Sequence, residues 1–168
     1  MSTNSIKKLS LSILVAVLSI PMSGGAWADG ANSYPLSPLY KEECGSCHVA
    51  YPAALLSTAS WQALMAGLDR HFGTDASIDK AKAQEIGIYL QANAARQQKY
   101  VSADAQGRAL LRISESEWFQ REHRAGHDGL SAAVWKLPSV KSPANCGACH
   151  QGAEQGRYAE REISIPHQ

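Results

Sequence analysis

Apolar positions along the chain recur at helical rather than strand spacing. Trp61, Leu64, Met65 and Leu68 stand at i, i+3, i+4 and i+7 and predict an amphipathic helix that ends near Gly73, just after His71. Ile86, Tyr89, Leu90 and Ala94 predict another after a cap at Ser77, although Asn93 interrupts its stripe. Ser37-Pro38 pairs a capping residue with proline at the first helical position, so a helix should run from there into Cys44 to His48. Residues 97–107 are polar and aperiodic, a link between two halves. Ser114-Glu115-Ser116-Glu117 then fits a capping box, with Ser114 as cap and Glu117 at N3. The helix that follows carries Trp118, Phe119 and His123; Phe119 and His123 are four apart and share its buried face, and Gly126 ends it. Ser142-Pro143 repeats the start signal before Cys146, and the tail beyond His150 is polar and without pattern. The expected fold is mainly α.

The first 28 residues follow a different logic. Lys7-Lys8 precede an apolar run over residues 9–20, a Pro/Gly break follows, and Ala26-Trp27-Ala28 offers small residues for cleavage after Ala28. The run is about twelve residues long against the roughly twenty that a membrane span needs. The mature protein is therefore expected in the bacterial periplasm, with no stable membrane insertion. This segment holds two of the 16 Lys+Arg and none of the 15 Asp+Glu, so the remaining 140 residues carry 14 basic and 15 acidic groups, a formal charge of −1. That balance argues against a nucleic-acid binder. The length argues for one domain or two very small ones rather than a multi-domain enzyme.

All four cysteines fall in two copies of one pattern, Cys44-Gly45-Ser46-Cys47-His48 and Cys146-Gly147-Ala148-Cys149-His150. Cys-x-x-Cys-His is the attachment sequence of c-type haem. On one helical turn, positions i, i+3 and i+4 share a face, so two thiols can bond one porphyrin while the adjacent histidine meets the iron. Gly45 and Gly147 would also reduce bulk where the macrocycle edge nears the backbone. Structural disulfides would not require a histidine after each pair. A thiol redox site would want a βαβ pattern, and a zinc site would have to join distant segments. Two covalent haems are expected, held by Cys44, Cys47, Cys146 and Cys149, with His48 and His150 as proximal ligands. In the first half, with few large apolar groups, a porphyrin would supply much of the core.

Each iron then needs a ligand from another segment. In the first half the choice lies between His71, at a helix end where the chain can turn, and Met65, on a stripe where methionine serves as core filler. His71 is preferred. In the second half His123 shares a buried face with Phe119 and is preferred; His127 stands second, in an exposed His127-Asp128-Gly129 turn, and His167 third.

With these residues in place the chain resembles the bacterial dihaem cytochrome c family. The likeness rests on both Cys-x-x-Cys-His motifs, on Trp61, Met65-Ala66-Gly67-Leu68 and His71-Phe72-Gly73, and on Arg112-Ile113-Ser114, Trp118-Phe119 and His123. It implies an N-terminal haem domain similar to a class I cytochrome c (residues 29–98 after the signal peptide, 1–28) and a less regular α-helical C-terminal haem domain (99–168). It also implies bis-histidine ligation at both irons, by His48 with His71 and His150 with His123. The implied partners are a membrane b-type cytochrome and an oxygen-binding monohaem cytochrome.

Two functional classes compete. A periplasmic electron carrier, not an enzyme, would have both irons low-spin, and two imidazoles would set a lower potential than a His/Met pair. Four ionised haem propionates would take the mature charge from −1 to about −5 and favour a basic docking partner. The alternative is a haem protein with one open or labile iron, acting as a small-gas binder, sensor or reductase. A structural subunit of a respiratory complex is a third possibility that leaves no motif.

Overall fold

A computed structural model of the chain describes residues 33–97, 100, 103–104 and 106–167. The export segment and its cleavage position lie outside them. Four α-helices, α1 (Pro38–Cys44), α2 (Thr58–Ala66), α3 (Lys80–Asn93) and α4 (Glu117–Glu122), are joined by loops and short 3-10 turns. Among the described residues β-pairing is confined to isolated bridges. No helix there is long and apolar enough to cross a membrane.

The first half is the more regular. Ser37 caps α1 by accepting from the Tyr40 amide, with Pro38 at the first helical position, as its sequence signal requires. The helix stops at Cys44, so Cys47 and His48 lie on the turn beyond it and not on a continuing helix. Gly45 makes that end: its amide bonds Lys41 O, and a Cβ here would lie 2.3 Å from that oxygen. The glycine thus answers to the helix terminus. Ser57 caps α2 through the Ser60 amide at 3.1 Å. α2 ends at Ala66 rather than near Gly73; Gly67 closes it and a 3-10 turn, Leu68–Arg70, leads to His71. The cap of α3 is Asp79 and not Ser77, because its carboxylate accepts from both Ala81 and Lys82 amides.

Trp61 of α2 and Ile86 and Leu90 of α3 bury against Tyr40, Ala50, Ala53, Leu56 and Ala94. The Trp61 indole donates to Ala53 O at 2.8 Å, so its burial leaves no polar group unsatisfied. Leu64 and Met65 pack on the edge of this cluster, which keeps Met65 in the role of filler. Lys82 of α3 pairs with Glu43 of α1 and closes the three-helix unit.

The second half is built mostly of single turns. Ser116 and not Ser114 caps α4: its hydroxyl accepts from the Phe119 amide at 3.1 Å and donates to Ile113 O at 2.8 Å. Ser114 instead lies in a 3-10 turn, Ile113–Glu115. α4 ends at Glu122 with His123 as its C-cap, three residues earlier than Gly126 would end it. The Ser142-Pro143 signal starts no α-helix; Ser142 Oγ accepts from Ala144 N, and only a 3-10 turn, Cys146–Ala148, follows. The tail, silent in sequence, wraps this turn: His150 bridges Ile163, and the Ser164 amide donates to Cys149 O at 2.8 Å. The N-terminal segment also packs here, with Ser33 bridging Arg157 and Tyr34 N bonded to Gly156 O at 2.8 Å. A Cβ at residue 156 would strike Tyr34 O at 2.2 Å, and its φ of +72° suits glycine.

Candidate functional site

The four histidines preferred from sequence come together as two pairs. His48, on the turn after α1, faces His71, with ring centroids 6.2 Å apart and planes 24° apart. His150, after the second cysteine pair, faces His123 at the C-terminus of α4, again 6.2 Å apart but with planes at 62°. A metal–imidazole bond of about 2 Å, plus about 1.1 Å from nitrogen to ring centre, puts two imidazoles on opposite sides of one metal about 6.3 Å apart. Both pairs match that spacing. Direct stacking would bring rings closer, as Phe119 on His123 does at 3.9 Å.

Local structure explains three of the four placements. His71 opens a tight turn in which Phe72 and Gly73 both have positive φ, +51° and +93°, and the Thr74 amide returns to His71 O at 3.0 Å. Phe72 pays for a left-handed backbone that glycine would adopt freely. His123 lies flat on Phe119, and its Nδ1 is 3.0 Å from Phe119 O. His48 Nδ1 is likewise 2.8 Å from Val49 O. An Nδ1–H committed to a carbonyl fixes the tautomer and leaves Nε2 its lone pair for a metal. His71 and His150 have buried Nδ1 atoms with no hydrogen-bond partner.

The electrostatics suit neutral ligands. Burial lowers the affinity of His71 for a proton, with His48 and Arg112 adding to the effect. Burial also lowers His123, and it lowers His150, where His123 contributes further. The thiols move the other way. Burial pushes Cys44 and Cys146 up to about 11 and raises Cys149 as well. A thiol–disulfide centre needs the reverse. The four cysteines form no disulfide, and no group of three or more His, Cys, Asp or Glu gathers as a metal cage among the described residues. The donors present therefore fit haem, with thiols at Cys44, Cys47, Cys146 and Cys149 for its covalent attachment.

The second pair opens onto a cavity of about 340 Å³ whose walls include Phe119, Trp135, Cys146, Cys149, Tyr158 and Ile163. His127 reaches its rim, but its Nδ1 lies 3.0 Å from Asp128 and its Nε2 3.7 Å from Glu122. His167 is exposed in the tail. Sequence reading missed the aromatic lining: Tyr51 against His48, and Trp135 and Tyr158 around the second pair. None of the three stands in a periodic pattern, since loops carry no periodicity.

Comparison with known proteins points to the same cofactor. The dihaem cytochrome c family profile matches residues 40–158. A diheme cytochrome c from Rhodobacter sphaeroides is 44% identical, aligning 75% of this chain with 99% of its own at a TM-score of 0.65. A diheme cytochrome type c from Shewanella baltica OS155 is 36% identical over 77% of this chain and 92% of its own, with a TM-score of 0.62. No curated protein sequence matches.

Proposed function

The chain belongs to the dihaem cytochrome c family, an electron-transfer family, and carries two covalently bound haem c groups; from that premise we propose that it is a periplasmic carrier of single electrons with both irons held by two histidines. His48 and His71 hold one, His150 and His123 the other. Bound at these sites, haem c supplies a ferric/ferrous couple that takes up one electron at a time.

The observation that carries the reading is the repeated 6.2 Å spacing of the histidine pairs. Two protein ligands leave no position for a substrate, so the residues' task is to hold the metal in both oxidation states. Phe119 and the Phe119 carbonyl keep His123 oriented; the Val49 carbonyl does the same for His48.

We place the domains at 29–98 and 99–168, after a leader (1–28) cleaved behind Ala28. Redox partner proteins follow from the family; a membrane b-type cytochrome and an oxygen-binding monohaem cytochrome are the proposed ones. Visible spectroscopy of the holoprotein tests the reading. Low-spin spectra in both redox states, with no carbon monoxide complex, are expected. A high-spin band or rapid carbon monoxide binding would overturn it in favour of a small-gas binder or reductase.

A further inference from the structure

The histidine that follows each cysteine pair rests against a tyrosine outside the proposed ligand set. Tyr51 lies nearly parallel to His48, with centroids 4.7 Å apart and planes at 17°. Tyr158 approaches His150 at 5.1 Å and 52°. Tyr51 is the better anchored of the two. Its backbone carbonyl accepts from the Tyr40 hydroxyl at 2.8 Å, and its own hydroxyl donates to Ala144 O, also at 2.8 Å.

Ala144 belongs to the other half of the chain, two residues before Cys146. Its carbonyl also receives the Cys146 amide at 3.0 Å and lies 3.7 Å from the Cys146 sulfur. The Tyr51 hydroxyl therefore ends on the oxygen around which the second attachment turn is built. The two attachment segments meet nearby: Val49 Cγ1 lies 3.5 Å from where a Cβ on residue 147 would stand. Burial raises the Tyr51 phenol above its ordinary value. It stays a neutral donor across the physiological range.

We propose that Tyr51 is a positioning residue that ties the two haem sites together, its ring setting the plane of the His48 imidazole and its hydroxyl setting the turn that presents Cys146. The inference rests on the reading of His48 as an axial ligand. A ring packed flat on an imidazole restricts its rotation about the metal bond, and ligand orientation tunes the metal. Because the same side chain holds Ala144, the ligand plane of one site and the thiol attachment of the other share a support.

Two variants of the matured holoprotein separate the two contacts. Tyr51→Phe keeps the ring and removes the donor; Tyr51→Leu removes both. The readouts are the haem-methyl proton resonances of the ferric protein and the two midpoint potentials, with sites assigned through His71→Ala and His123→Ala. Tyr51→Phe should shift the second-site resonances and midpoint while leaving the first-site resonances in place. Tyr51→Leu should shift both sets. If the leucine variant fails to mature, the nearly isosteric phenylalanine variant still decides whether Tyr51 ties the second site to the first. Second-site resonances and midpoint unmoved in Tyr51→Phe would overturn the proposal, even with a low-spin wild type. A wild type high-spin at the first site would instead sink the ligand reading and this proposal with it.

Discussion

The guanidinium of Arg112 sits 3.8 Å from the centre of the Phe72 ring. Arg112 comes from the second half of the chain, whereas Phe72 follows His71 in the turn that delivers it to the first site. An exposed cation–π contact is worth about 0.5–1 kcal/mol, or about two- to fivefold in an equilibrium. Arg112→Ala should therefore raise the fraction of ferric protein with His71 detached by about that factor. Stopped-flow binding of cyanide to the first haem would show it as a matching acceleration. Arg112→Lys, which keeps the charge, should fall between.

The capping of α4 separates two neighbouring serines. Ser116 is buried, and its hydroxyl both accepts and donates. Ser116→Ala should lower stability by about 1–2 kcal/mol. Ser114→Ala, which removes no helix cap, should stay within about 0.5 kcal/mol of wild type. Denaturant titration of the holoprotein measures both. Equal losses would return the cap to Ser114.

The two histidine pairs differ in ring angle, 24° against 62°. Two distinguishable low-spin signals are expected in the electron paramagnetic resonance spectrum of the ferric protein, the crossed pair giving the greater anisotropy. His71→Ala should abolish the near-parallel signal and His123→Ala the crossed one, each turning one haem high-spin. If His127→Ala does so in place of His123→Ala, the second ligand is misassigned.

Acid should release the proposed ligands late. Burial lowers both His71 and His123 below the ordinary histidine value of 6.5. A group depressed in the folded state contributes its stability in full above its unfolded value and loses it as pH falls through the folded one. The low-spin spectrum should hold from pH 8 down to about 6.5 and convert only below it. Conversion centred above 6.5 in a visible-spectrum titration would contradict this.

Docking should depend on salt. Cleavage after Ala28, as proposed, would leave a formal charge of −1, and four ionised propionates would take it to about −5 for the approach to a basic partner. Electron transfer to the physiological partner should slow as ionic strength rises, because the Debye length shrinks to about 8 Å near 0.15 M. A rate indifferent to salt would argue for an apolar interface.

How far the sequence carried depends on where regular structure does the work. Ser37-Pro38 and the Trp61 stripe follow local rules, and the structure keeps a helix at each while ending both earlier than the pattern does. The chemistry was legible for the same reason, since attachment to a porphyrin demands contiguous residues. Boundaries failed where two capping residues stood close together. Ser77 and Ser114 lost to Asp79 and Ser116 because neighbouring amides decide a cap, and their positions follow from the whole turn. The second half was the least readable. Its 3-10 turns at Val134–Lys136, Cys146–Ala148 and Ala153–Gln155 are too short to show a period. Tyr51, Trp135 and Tyr158 take their meaning from contacts across the chain that no spacing encodes.

The clasp between Tyr34 and Gly156 has a bearing on how the molecule is assembled. Tyr34 precedes α1 and Gly156 follows the second attachment turn, yet Tyr34 and Tyr158 line the same cavity beside the second histidine pair. The first three helices can pack from their own neighbours, but the second cavity wall is incomplete until these two distant segments meet. Non-local closure of this kind is slow compared with helix pairing. Enclosure should thus be ordered in time, with the first histidine pair packed by its three helices before the second is sealed by the Tyr34–Gly156 contact.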